Sequence, residues 1–132
     1  MATPVSVASY VLNAPSVSVT FSSLVGMSWL IVPATTGNLF GTPSQPIVTL
    51  QRAADGTTET WTWYQLALTS NPSGRKSATL LLQDSSGNTL MGYVLENAWP
   101  SGVEVTGLAA GAAQAVTETW TFVCAAITAQ PG

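Results

Sequence analysis

Apolar and polar positions alternate over Ser16-Val17-Ser18-Val19-Thr20-Phe21-Ser22, the clearest strand signal in the chain. Val17, Val19 and Phe21 share one face, and Ser16, Ser18, Thr20 and Ser22 share the other. The last long run repeats the pattern. Val116, Trp120, Phe122 and Cys124 point one way, interrupted by Glu118, and Thr117, Thr119 and Thr121 point the other. Both polar faces carry hydroxyls where a water-facing strand usually carries Lys and Glu.

Further strands are predicted over 5–12, closed by Asn13-Ala14-Pro15, over 28–32, ending at Pro33, and over 47–50. The run 77–83 and the run from Thr89 to Trp99 flank the turn signal Asp84-Ser85-Ser86-Gly87-Asn88 and read as an antiparallel hairpin. Pro100 cannot donate to a ladder, so the pairing of that second strand is expected to stop there. Residues 33–46 read as a long loop with Asn38, Leu39 and Phe40 at its middle, either folded back on the core or used for contact. Gly102 to Ala115 reads as a pliable Gly/Ala-rich connection. The run 59–68 is ambiguous: Trp61, Tyr64 and Leu68 share a helical face, while Thr60, Thr62 and Tyr64 alternate with Trp61 and Trp63 as in a strand. Thr57 is a candidate helix N-cap. About seven strands and at most one helix, in 132 residues, predict one domain, 1–132, with a mainly β sandwich or barrel fold.

Composition sharpens this. Charged residues are only 7 % of the chain, against about 25 % in a typical soluble domain. Such neutral surface is most simply explained as covered, by further copies or by a partner. A net charge of −3 with three basic residues, Arg52, Arg75 and Lys76, gives no clustered basic face for nucleic acid. Arg75 and Lys76 follow Asn71-Pro72-Ser73-Gly74 and read as a solvated turn.

There is no His, hence no Ser-His-Asp or Cys-His arrangement. The single Cys124 reads as a buried small hydrophobe, with no second Cys for a disulfide and no metal-ligand spacing. Asp55, Glu59, Asp84, Glu96, Glu104 and Glu118 form no recognisable pair; Glu96 and Glu118 are candidates to pair with Arg52. No catalytic, cofactor-binding or metal site is expected. No apolar run is long enough to span a membrane, and the N-terminus has no basic signal-peptide region, so cytosolic synthesis is expected.

Six segments, in order, resemble the tail tube protein family of contractile-tail bacteriophages and extracellular contractile injection systems. Phe21 to Met27 is similar to that family's early F-S-E-V-S-G-L, with Ser23 in place of the acid. Pro46 to Arg52 is similar to its I-T-L-K-R-G stretch, with Gln51 for Lys and Ala53 for Gly. Trp61-Thr62-Trp63 resembles the W-D-W of its helix, which implies helix for the ambiguous run. Leu82 to Asn88 resembles its L-L-D-E-x-G-N hairpin, Asn97-Ala98-Trp99-Pro100 matches its N-A-W-P, and Glu118 to Phe122, around Trp120, sits where its last strand lies.

The resemblance implies two packed antiparallel sheets with one flanking α-helix, completing a large β-barrel when six copies form a ring. Rings would stack into an inner tube inside a contracting sheath, bounded by baseplate and tail-terminator proteins. The lumen would pass DNA, a tape-measure protein or cargo, in a virion tail or an injection particle. Ser16, Ser18, Thr20 and Ser22, or Thr117, Thr119 and Thr121, are candidates to face the lumen, and Asn38, Leu39 and Phe40 to contact the next ring. The rival expectation is a monomeric β-sandwich that binds a ligand or carbohydrate on Trp29, Trp61 or Trp63.

Overall fold

A computed structural model describes residues 7–28, 31–33, 41–54, 56–107 and 116–131. Its strands are β1 (Ser9–Ala14), β2 (Val17–Phe21), β3 (Ser23–Ser28), β4 (Ile31–Pro33), β5 (Gly41–Pro43), β6 (Ile47–Ala53), β7 (Lys76–Gln83), β8 (Thr89–Thr106), β9 (Thr117–Val123) and β10 (Ala126–Pro131). One helix, α1 (Glu59–Leu68), and one 3₁₀ turn (Pro72–Gly74) lie between β6 and β7. The fold is mainly β with a flanking helix, as the resemblance implies. The described strands number ten, above the expected seven, because short pairings interrupt stretches that read as loop.

All pairings are antiparallel, in the order β2-β1-β7-β8-β9-β6-β3 with β10 also beside β8. The eighteen-residue β8 carries the architecture. Its first half, to Ala98, pairs with β7 on one side and β10 on the other. Its second half, from Trp99, pairs with β9. One layer is therefore β2-β1-β7-β8-β10 and the other is β8-β9-β6-β3, with β8 as the shared corner. Asn97 sits at the change of partner with φ 51°, where the register slips against β7. A bulge residue in the left-handed region bends a strand and increases its twist, which lets β8 leave one layer and join the other.

Pairing does not stop at Pro100. Pro100 lies opposite Phe122, and the register shifts again before Gly102, which faces Thr121. Proline is tolerated because this half of β8 has a strand neighbour on one side only, and because the missing N–H falls beside a bulge. The expected loop at 33–46 is corrected too: β4 and β5 pair as a short hairpin, Ile31 opposite Pro43 and Pro33 opposite Gly41. Its tip, with Asn38, Leu39 and Phe40, lies outside the described residues, as does Trp29. The expected strand 28–32 is divided between β3 and β4. The opening strand runs past its expected stop, taking in Asn13 and Ala14.

The layers meet on the faces that alternation marks as apolar. Leu12, Val17, Val19, Phe21, Leu80 and Leu95 from one layer pack with Val48, Leu50, Trp120 and Phe122 from the other. Phe21 meets Phe122 edge-on, with ring centroids 6.3 Å apart. The helix lies over the part of β9 that the first layer leaves open. Trp61 packs edge-on to Trp120 at 4.8 Å, and Trp63 lies tilted against Phe122 at 5.3 Å. Trp63 and Thr60 are its buried positions, Trp61 and Tyr64 are half-buried, and Leu68 is exposed. The face is thus rotated from the Trp61/Tyr64/Leu68 stripe, because Trp63 fills the space beside Phe122 and donates its indole N–H to Gly74 O. The N-cap is Thr58, not Thr57. The Thr58 side chain makes no cap bond, while Thr57 O accepts from the Arg52 guanidinium.

Candidate functional site

Arg52 and Glu118 face each other across β6 and β9 and form a buried ion pair. Arg52 Nε and Nη2 donate to Glu118 Oε1 at 3.2 and 3.1 Å. The same carboxylate accepts the indole N–H of Trp120 at 2.9 Å and that of Trp61 at 3.3 Å. The guanidinium also lies 5.7 Å from the centroid of Phe21. Arg52, Trp61 and Trp120 from the sequence motifs therefore converge on Glu118, and tie the helix to the second layer. Glu96, the other candidate partner of Arg52, is exposed on β8 beside β10 instead.

The remaining acids are dispersed. Glu59 accepts the backbone N–H of Ser18 at 2.8 Å, and Asp84 accepts the N–H groups of Ser86 and Asn88 within its own turn. Among the described residues no three His, Cys, Asp or Glu gather as metal ligands. Cys124 is buried, and desolvation pushes its thiol up to about 11. Trp63 is buried and the Trp61 ring leans on Trp120, so neither is an exposed platform for stacking a sugar.

What the molecule presents instead is two hydroxyl-bearing faces and their edges. Thr117, Thr119 and Thr121 lie on the outer face of the second layer, opposite Ala53, Gln51 and Thr49 of β6. Gln51 Nε2 donates to Thr119 Oγ1 at 3.0 Å, linking the two rows. Glu104, opposite Thr119 on β8, places a carboxylate beside this field of hydroxyls and amides. The alternation of Thr49 and Gln51 with Val48, Leu50 and Arg52 is the signal by which β6 could have been added to the Thr row from sequence.

The Ser row is elsewhere. Ser18 and Thr20 are exposed on the outer face of the first layer, opposite Asn13 and Val11. Ser16 is exposed in the turn before β2 with φ 65°, and exposed Ser22 donates to Gln51 O at the step into β3. The two candidate rows thus belong to opposite sides of the sandwich.

Among the described residues the two edges of the second layer are unpaired. Among the described residues β3 pairs only with β6, and residues 99–106 of β8 pair only with β9. Val25, at a bulge in β3, is 58 % exposed, and β3 contains no charged residue. Edge strands of a solitary protein are normally blunted by charge or covered. By contrast β2, an edge of the first layer, has its Ser18 N–H taken by Glu59.

A bent sheet whose second layer has edges that no described strand covers, and an outer face rich in hydroxyls, is that of a building block whose outer surface belongs to an assembly. The chain belongs to the T4-like virus tail tube protein gp19 family, whose model matches residues 33–128, and it is a structural tube protein. Solved structures of similar fold include the sheath–tube complex of PVC, an extracellular contractile injection system, in its extended state. That match has a TM-score of 0.74 and 20 % identity, covering 98 % of this chain and 93 % of the other. The tube-terminating cap of the anti-feeding prophage matches with a TM-score of 0.74 and 18 % identity, covering 100 % and 94 %. Hcp1 from Flavobacterium johnsoniae matches with a TM-score of 0.56 and 17 % identity, covering 94 % and 96 %. No match is found among curated proteins. No helix among the described residues is long and apolar enough to cross a membrane.

Proposed function

We propose that the whole chain, 1–132, acts as one tube-forming domain, and that six copies close into a ring through the two bare edges of the second layer. β3 of one copy lies beside the 99–106 half of β8 in the next, so the four strands β3, β6, β9 and β8 of each copy join one continuous barrel. Closing a sheet removes its edges altogether. The observation that carries this reading is the pair of edges on a single four-stranded layer that no described strand covers, with Glu104 as their one charged residue.

The outer face of that layer then lines the channel, with Thr117, Thr119 and Thr121 beside Thr49 and Gln51. Ser18 and Thr20, on the opposite layer, face outward. A hydroxylated wall with one carboxylate per copy at Glu104 stays hydrated and holds no passing polyanion. Rings stack into the inner tube of a phage tail or injection particle made in the bacterial cytoplasm. Asn38, Leu39 and Phe40 serve as contacts to the next ring. A contracting sheath surrounds the tube and drives it out, baseplate and terminator proteins close its ends, and a tape-measure protein, DNA or cargo occupies the lumen. The role is mechanical and asks no reaction, cofactor or membrane anchor of the chain.

Light scattering and negative-stain microscopy of the purified chain test this. Rings or tubes are expected, and Val25→Lys, which places a charge at the bare β3 edge, is expected to leave folded single chains. A chain that stays single at high concentration refutes the proposal.

A further inference from the structure

Arg75, the exposed cation among the described residues, and the half-buried carboxylate Asp84 stand at opposite ends of one strand. Arg75 immediately precedes β7 and Asp84 immediately follows it. Eight residues of strand at ~3.3 Å each separate the two ends by about 26 Å.

At the first end, Ala67, Ser70, Pro72, Gly74, Arg75 and Trp99 line a cleft of about 420 Å³. Arg75 is exposed, and it forms no ion pair among the described residues. The helix carbonyls beside the cleft are already taken: Gln65 O by Thr69 N–H, Ala67 O by Ser70 N–H and Leu66 O by Asn71 N–H. The guanidinium is therefore the charge that the cleft presents. The adjacent Lys76 is half-buried and lines a second cleft, together with Glu59.

At the other end, Ser85, Ser86, Gly87 and Asn88 are exposed in a tight turn, with Gly87 at φ 85°. Asp84 Oδ1 accepts Ser86 N–H and Asn88 N–H at 2.9 Å each, while Oδ2 has only a 3.4 Å contact from Asn88 Nδ2. Oδ2 thus keeps capacity to accept a further hydrogen bond, and the backbone N–H of Asn88 leads the bonds that hold the group ionised. The other described acids are engaged or stand within a strand. Glu118 is buried against Arg52, Glu59 holds Ser18 N–H, and Glu96 and Glu104 stand within strand β8.

We infer that the Arg75 cleft receives the Asp84–Asn88 turn of a second copy, head to tail. Arg75 bonds the free carboxylate oxygen, and Trp99 forms the apolar wall against which the small turn residues seat. A contact between opposite ends of one strand is head-to-tail and not a closed two-fold pair, and beside rings already closed through their sheet edges it extends as an open stack. The inference rests on the tube reading and adds to it the residues that join successive rings.

The test follows assembly of the full-length chain by sedimentation and negative-stain microscopy. Arg75→Glu is expected to reduce the tube fraction at least tenfold while single rings persist. Asp84→Asn, which retains the turn-forming side chain but removes its charge, is expected to act in the same direction. Adding Ser85→Lys to Arg75→Glu places a cation at the turn tip and is expected to restore tubes. Raised salt should dissolve wild-type stacks before it dissolves rings. Tubes of wild-type length from Arg75→Glu, or no rescue by the added lysine in a chain whose rings are intact, overturn this contact and leave the tube reading standing. A wild-type chain that never forms rings overturns both.

Discussion

The guanidinium of Arg52 and the carboxylate of Glu118 lie 3.1 Å apart beneath the helix, on paired positions of β6 and β9, and solvent reaches little of either. Glu118 also receives two indole N–H groups, so a single side chain joins both strands to α1. Removing one member of a buried pair leaves the other desolvated without compensation, typically at about 3–5 kcal/mol. Glu118→Ala is accordingly expected to lose ~3 kcal/mol or more in urea unfolding of the ring-free chain. Arg52→Met combined with Glu118→Leu should recover much of that loss. A cost for Glu118→Ala below about 1 kcal/mol would mean the pair behaves like a surface one.

Asn97 holds φ 51° where β8 passes from one layer to the other. Asparagine tolerates this conformation better than residues lacking a short polar side chain, and glycine accepts it without strain. Asn97→Gly is therefore expected to be neutral or slightly stabilising, and Asn97→Ala to cost ~1 kcal/mol. Thermal unfolding of the two variants side by side decides it. Equal melting temperatures would show that the backbone at this corner is relaxed.

Gly74 is buried against the C-terminal turn of the helix, and its carbonyl accepts the Trp63 indole. A Cβ there would lie 3.2 Å from Ala67 N, from Leu66 C and from Leu66 Cβ. Two of those atoms are helix backbone and cannot swing aside. Gly74→Ala should cost about 1–3 kcal/mol through overpacking, and should blue- or red-shift Trp63 fluorescence as the indole moves. An unchanged spectrum with unchanged stability contradicts this.

Burial raises the Cys124 thiol from its ordinary 9.0 to about 11. Thiolate is the reactive form, so an aromatic disulfide reagent at about pH 8 should label Cys124 in denaturant and spare it in the folded chain. The proton is held more tightly in the folded state. The stabilising contribution is therefore complete below the unfolded value of 9.0, and is lost as pH rises through about 11. Rapid labelling without denaturant would show that the 124 region opens.

Much of this molecule is legible in strand alternation. The buried faces of β2, β6 and β9 follow from residues such as Val17/Val19/Phe21 and Trp120/Phe122, and the Asp84–Asn88 turn follows from its composition. The Ser and Thr rows likewise leave the core on the expected sides of their strands. Within one strand, side-chain direction is a local property fixed by the pleat.

Which strands pair is not local. Pro100 reads as a stop until β9 and a one-sided neighbourhood make it tolerable, and Gly41–Pro43 reads as loop until Ile31–Pro33 pairs with it. Only the bend at Asn97, set by β7 and β10 on one half of β8 and β9 on the other, sends the Ser and Thr rows to opposite sides of the sandwich. The sequence by itself determined the most regular strands, such as β2 and β9, their inward faces and the near absence of charge. Tertiary structure decided which polar face shares a layer with the bare edges, because that depends on contacts between residues far apart in the chain.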